Sequence, residues 1–165
     1  MKPKTRPGSS DDLPKVLELN EQSIPAVNSL TLQKLQIMVA NSVFFQIVEL
    51  NQQFAGFVLT FSPKADYDSE NLRWFNERYQ NFLYLDRIAV AGFAKQQGCG
   101  MALYSDVEEY CRKHTIANIA LEVNTRPRNE GSLIFHEKMG FKEVGQQDTV
   151  GGSKTVSLMM KAVAL

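Results

Sequence analysis

Between residues 82 and 124 the chain changes its hydrophobic rhythm twice. The run "FLYLDRIAV" (82–90) is strongly apolar, which predicts a strand. From 99 to 113 the spacing becomes helical: Leu103, Val107, Tyr110 and Cys111 form one stripe, with Glu108/Arg112 and Glu109/Lys113 as i,i+4 pairs on the other side. The stretch 117–124, ending "IALEVN", returns to strand, and alternation puts Glu122 and Asn124 opposite Ile119, Leu121 and Val123. A strand, helix and strand joined at this length make a right-handed βαβ unit. The strands 82–90 and 117–124 should therefore be parallel, with the loop 91–98 at the carboxyl end where open sheets bind ligands.

The flanking pattern completes a mixed sheet. A short edge strand around Thr5 to Pro7 precedes a helix capped by Ser10 or Asp11, with Leu13, Val16, Leu17 and Asn20 on successive turns and Pro25 as its stop. A second helix starts at Thr31, with Leu32, Leu35, Met38 and Val39 at helical spacing. "SVFFQIVEL" and "FAGFVLTFS" read as a hairpin across "NQQ". A polar and aromatic stretch, 62–80, interrupts the pattern and holds one short helix near 70–78; its Tyr67, Trp74, Phe75 and Tyr79 either anchor a long loop or wall a pocket. A helix over 129–139 and strands over 141–148 and 154–162, turning at Gly151-Gly152, close the chain.

Length and composition fit one domain spanning 1–165, since 165 residues with 44% apolar content can bury a core unaided. Eighteen basic and 18 acidic residues balance to zero, so no global field draws nucleic acid or an anionic membrane. With no apolar run of spanning length and no apolar leader core, the expectation is a soluble cytoplasmic protein. Cys99 and Cys111 form neither a CxxC motif nor a Cys/His cluster, so no metal is expected and both read as reduced, inert thiols.

The chemistry concentrates at "AKQQGCG" (94–100). A helix N-terminus offers free amides and the positive end of the macrodipole to an anion, and Gly98 and Gly100 allow close approach. Glycines here could also merely relieve crowding where helix meets sheet. No GK[ST] follows, and no third glycine completes G-x-G-x-x-G, which argues against the common nucleotide folds. The wider segment "LDRIAVAGFAKQQGCG" resembles motif A of the GNAT superfamily of acetyl-CoA-dependent N-acetyltransferases, with [RQ]-x-x-G-x-[GA] after a strand ending in "AV". Downstream, "NEGSLIFHEKMGF" (129–141) resembles its motif B, N-x-x-[AS]-x-x-[LF]-Y-x-x-x-G-F, and "RPGSSDDLPKVLEL" its opening strand and helix. Two departures stand out: Lys95 replaces the usual Arg or Gln, and His136 the tyrosine.

The resemblance implies an α/β fold with a twisted mixed sheet of six to seven strands, strands 4 and 5 parallel and splayed, and about four flanking helices. It implies acetyl-CoA as cosubstrate, its pantetheine between those strands on backbone groups of Ile88 and Val90, with the Val90 amide facing the thioester carbonyl. The pyrophosphate would rest on the loop of Lys95, Gln96, Gln97, Gly98, Cys99, Gly100 and Met101. Asn124, Asn129 and Ser132 would complete the coenzyme contacts, although Asn129 is also a plain helix N-cap. Direct attack by a primary amine needs a base. By family position that is Glu122; Asp86, Tyr84 or an ordered water are alternatives, and alternation puts Tyr84 and Asp86 on the face of Val90. His136 would protonate the departing thiolate in the tyrosine's place, or simply sit on the helix surface. The expected partner is an amine-bearing small molecule or peptide, with neither nucleic acid nor membrane, and a homodimer is common among such proteins. A non-catalytic acyl-CoA-binding module is the competing reading.

Overall fold

The computed structural model describes residues 2–165. Seven strands, β1 (Lys4–Pro7), β2 (Phe44–Leu50), β3 (Gln53–Phe61), β4 (Leu83–Val90), β5 (Asn118–Arg126), β6 (Lys142–Thr149) and β7 (Lys154–Ala162), form one sheet in the order β1-β2-β3-β4-β5-β7-β6. Only β4 and β5 run parallel; the hairpins β2–β3 and β6–β7 supply antiparallel wings. Five helices, α1 (Leu13–Gln22), α2 (Leu32–Asn41), α3 (Glu70–Asn76), α4 (Cys99–Lys113) and α5 (Glu130–Lys138), cover its faces, each in a stretch where the pattern predicts one.

Two apolar layers divide the helices. On one face, Leu13, Val16 and Leu19 of α1, Leu35 and Met38 of α2, and Leu72 and Phe75 of α3 pack on Phe57, Leu59, Tyr84 and Leu158. On the other, Leu103, Val107 and Cys111 of α4 and Leu133 of α5 pack on Val48, Leu85, Leu121 and Met159. Completely buried side chains such as Leu35 and Leu103 contribute about 1.5–3 kcal/mol each through surface removed from water. Tyr110, expected in the α4 stripe, is half-exposed and stacks on His114, while Tyr104 takes the inward place. Glu109 pairs with both Arg112 and Lys113, whereas Glu108 reaches across to Lys161 of β7 instead of pairing with Arg112.

Local capping sets the helix starts. Thr31 accepts the Lys34 amide at 3.1 Å, as the start at 31 requires. The first helix begins one turn differently from expectation: Asp12, gripped by Arg6 at 2.7 and 2.8 Å, accepts the Ser9 amide and closes a 3₁₀ turn before α1. In the 62–80 stretch, Phe75 is fully buried, Trp74 lies over Gly145 of β6, and Tyr67 stacks on Phe61 at 4.1 Å. These aromatics anchor the segment, and Tyr67 also reaches the pocket described below.

One irregularity redirects β4. Across to β3, Leu59 faces Arg87 and Thr60 faces Leu85, so Asp86 is an extra residue without a cross-strand partner. The bulge resets the alternation. Tyr84 packs in the α1–α3 layer, while Ile88 and Val90 join the α4 layer. The expectation that Tyr84 and Asp86 share the face of Val90 is therefore corrected: strict period-two counting fails where a bulge inserts a residue.

Candidate functional site

The parallel pair is hydrogen-bonded only at its start. Leu83 is in register with Ile119 and Tyr84 with Ala120; beyond that no β4–β5 pairing continues, although β4 runs to Val90 and β5 to Arg126. The strands part into a gap of about 100 Å³, walled by Ile88 on one side and Leu121 to Asn124 on the other, with Tyr104, Ser132 and His136 below. Backbone groups of β4 past the bulge thus face open space on that side, an unusual state inside a sheet and one that an extended ligand can satisfy.

At the carboxyl end of β4 the chain turns through Ala91 to Gly98 into α4. Gln96 and Gly98 have φ of 61° and 86°, the left-handed region that glycine occupies without strain. The first helical bond runs from the Ala102 amide to the Gly98 carbonyl at 2.9 Å, which leaves the amides of Cys99, Gly100 and Met101 without intrahelical partners. A Cβ built on Gly100 would meet nothing within 4 Å. Internal crowding therefore does not explain this glycine; its bare backbone opens outward. Lys95, Gln96 and Gln97 are exposed along the same turn, with Gln97 Nε2 donating to Phe93 O at 2.8 Å. The Cys99 thiol is buried, and burial pushes its pKa up, so only its amide faces the loop.

Motif B residues line the gap from α5. Asn129 caps the helix, its Oδ1 accepting the Ser132 amide at 3.3 Å, so the bland role is occupied. Asn124 Nδ2 donates to Pro25 O at 2.8 Å and holds the α1–α2 connection against β5. His136 is buried, with Nδ1 at 2.7 Å from the Ser132 carbonyl and Nε2 at 2.5 Å from the Tyr104 hydroxyl. A carbonyl only accepts, so Nδ1 carries the proton and Nε2 accepts from Tyr104. Burial lowers the pKa of the ring, which favours the neutral form. The structure thus gives His136 no free N–H directed into the gap, a correction to the picture of a histidine simply exchanged for an acidic tyrosine. It is also no surface residue.

Glu122 stands where two cavities meet. On the far side of the sheet from α4 lies a pocket of about 250 Å³, bounded by the α1–α2 connection, residues 67–71, the β6–β7 turn and the strands around Tyr84 and Glu122. Asp86, Arg87, Glu122 and Asn124 belong to the walls of both this pocket and the gap. Tyr84 donates to Glu122, lying 2.9 and 2.8 Å from its two carboxylate oxygens. Burial, reinforced by the nearby Asp86 charge, pushes the Glu122 pKa up to about 8 despite that hydrogen bond. Asp86 behaves otherwise, being tied to Arg87 at 2.8 Å and to the Tyr67 hydroxyl at 2.8 Å. A buried, ion-paired carboxylate is a structural clamp, while Glu122 holds a raised pKa at the junction of the two cavities.

Tyr104, Arg87 and Lys154 were not singled out by sequence reasoning as site residues. Tyr104 adjoins Leu103 in an amphipathic helix and carries no motif signal. Lys154 sits on β7, yet its Nζ reaches Pro25 O and Asn28 Oδ1, both at 2.8 Å. Among the described residues no group of His, Cys, Asp and Glu is arranged to hold a metal ion.

The sequence model of the acetyltransferase (GNAT) family matches residues 13–141. Among solved structures, Ard1 from Thermoplasma volcanium superposes with a TM-score of 0.81 at 18% identity, covering 100% of both chains. The ribosomal-protein-S18-alanine N-acetyltransferase from Escherichia coli gives 0.75 at 17% identity over 99% of this chain and 95% of its own. A chain of the NatC complex bound to Gag peptide and CoA gives 0.75 at 12% identity, covering 99% of this chain and 100% of that one. At such identities the likeness is one of fold. No curated protein sequence matches the chain.

Proposed function

The chain belongs to the acetyltransferase (GNAT) family, and from that footing we propose that residues 1–165 act as one domain that moves an acetyl group from acetyl-CoA to a primary amine by direct attack. Acetyl-CoA, as cosubstrate, supplies an activated thioester. The residues present suit it: the gap has unpaired backbone on β4, and the loop before α4 offers amides around a glycine whose missing side chain leaves open space. The observation that carries the reading is the position of Glu122, shared by the gap and the polar pocket.

Each residue then has a defined task. Amides from Gln96 to Met101 hold the pyrophosphate, with Lys95 supplying positive charge at the exposed turn. Ile88 and Val90 bind the pantetheine through the backbone, and the Val90 amide donates to the thioester oxygen as negative charge develops there, a type of contact worth about 3 kcal/mol. Asn124, Asn129 and Ser132 shape the remaining wall. Glu122 accepts the proton of the attacking amine, and Tyr84 orients its carboxylate. His136, neutral, holds the Tyr104 hydroxyl at the floor of the gap, where it can turn to donate to the departing sulfur. The acceptor is an amine-bearing small molecule or peptide, and the setting is cytoplasmic; no helix among the described residues is long and apolar enough to cross a membrane.

Thiol release from acetyl-CoA across a panel of amines tests this reading. It predicts turnover with at least one amine, and a Glu122→Gln variant that binds acetyl-CoA normally but turns over slowly. Coenzyme binding without turnover across the panel would favour the non-catalytic module instead.

A further inference from the structure

The polar pocket carries an uneven set of charges. Arg73 contacts Asp68, and Arg87 Nε donates to Asp86 at 2.8 Å, so these pairs neutralise themselves. Glu70 accepts the Val150 amide at 3.2 Å near the mouth, and burial with the nearby Asp86 charge raises the Glu122 pKa to about 8. Of the two other cations that line the pocket, Lys34 is exposed on α2 and Lys154 is the more buried. Its ammonium donates to Pro25 O and Asn28 Oδ1, both neutral acceptors at 2.8 Å, and no carboxylate among the described residues forms an ion pair with it.

Donor counting sharpens the point. An ammonium has three N–H groups, and Lys154 has two assigned partners. Arg87 directs Nε to Asp86 and Nη1 to Asn20 Oδ1 and Asn28 O at 2.8 and 3.2 Å, which leaves Nη2 without an assigned hydrogen bond. Among the described residues no buried side-chain nitrogen or oxygen lacks a partner, so Nη2 keeps exposed surface, on a residue that lines both the pocket and the gap and has the Tyr67 hydroxyl near its guanidinium. Both cations converge on Asn28, where they repel each other; burial and the Arg87 charge together lower the pKa of Lys154. Pinning the 25–28 connection does not need that charge, because the neutral Asn124 amide binds the same Pro25 carbonyl at 2.8 Å.

We propose that Lys154 and Arg87 bind the carboxylate of the acceptor, so that the amine presented to Glu122 belongs to a small free amino acid. This deepens the acetyl-transfer reading and rests on it for the identity of the pocket. At about 250 Å³ the pocket lies below the usual ~300–1,000 Å³ of ligand sites, a size suited to one compact zwitterion. A carboxylate accepts from the third Lys154 N–H, lies beside the Arg87 guanidinium and relieves the repulsion between the cations.

The test compares free amino acids, their α-carboxamides and short peptides as acceptors, by kcat/KM for thiol release. Acids should exceed their carboxamides by roughly ten- to a hundredfold, the span of a charge-assisted hydrogen bond. Lys154→Gln, which keeps a donor for Pro25, should raise KM for the acids by a similar factor with little change in kcat, leave the carboxamides unaffected, and be rescued by Lys154→Arg. Equal use of acid and carboxamide, equal slowing of both by Lys154→Gln, or turnover of peptides alone would overturn the proposal while leaving acetyl transfer intact. If no amine releases thiol, the acetyl-transfer reading fails, and calorimetric titration with the same amino acids decides the carboxylate site: heat abolished by Lys154→Gln supports it, and no heat overturns it.

Discussion

The gap between β4 and β5 with its glycine turn and the polar pocket across the sheet are made of different materials. The first is main chain: an unpaired stretch of β4, free amides at the start of α4, and a glycine that leaves them uncovered. The second is side chains from five separated segments, the α1–α2 connection, residues 67–71, β4, β5 and the β6–β7 turn, meeting around one carboxyl group. Main-chain recognition needs a continuous run with glycine at fixed places, so it leaves a readable motif. Side-chain recognition assembled from afar leaves none, and it can be rebuilt for a new acceptor without disturbing the first. Glu122 joins the two.

If that division holds, substitutions should separate chemistry, coenzyme affinity and stability cleanly. The largest effect belongs to Glu122→Gln, expected to lower kcat about 10²–10³-fold, within the range of a lost general base, with KM for acetyl-CoA unchanged in steady-state kinetics. With an acceptor whose own amine titrates well below 8, wild-type kcat/KM should rise with pH through about 8, and the variant should lose that rise. Next comes Gly100→Leu. Its side chain enters space that is empty in the protein, and leucine favours a helix over glycine by ~0.8 kcal/mol, so Tm should hold or climb while acetyl-CoA affinity drops about tenfold or more by calorimetry.

A third effect is on stability against pH. The folded state raises the Glu122 pKa from the ordinary carboxylate range to about 8, so folding binds that proton more tightly. The associated stability is complete below the unfolded value and is lost as pH climbs through about 8. Wild-type Tm should therefore decline between pH 5 and 9 by more than that of Glu122→Gln, read by differential scanning calorimetry. The smallest is Tyr104→Phe, which leaves the buried His136 Nε2 unpaired and should cost about 1–3 kcal/mol in chemical denaturation, with turnover reduced no more than several-fold.

The same division explains what the sequence disclosed. The α4 boundaries, the parallel β4–β5 unit and the glycine turn follow from local periodicity and backbone demands, and all stand in the structure where the pattern puts them. The faces of Ile119 to Asn124 also follow, because β5 keeps its alternation through that stretch. Asp86 misled because a bulge exists only relative to the neighbouring strand, which a single segment does not reveal. Tyr104 hid beneath His136, since the motif position told of the histidine but not of its partner on another helix. Lys154 and Asn28 lie far apart in sequence, and their meeting depends on how the β6–β7 turn and the α1–α2 connection fold over the sheet.

A crystal structure of the protein with bound CoA tests the central claim most directly. The account predicts the pantetheine arm extended between β4 and β5 beyond Tyr84 and Ala120, the pyrophosphate on the amides from Gln96 to Met101, and the sulfur opening toward Glu122. A coenzyme bound elsewhere, with the β4–β5 gap empty or closed, would contradict it.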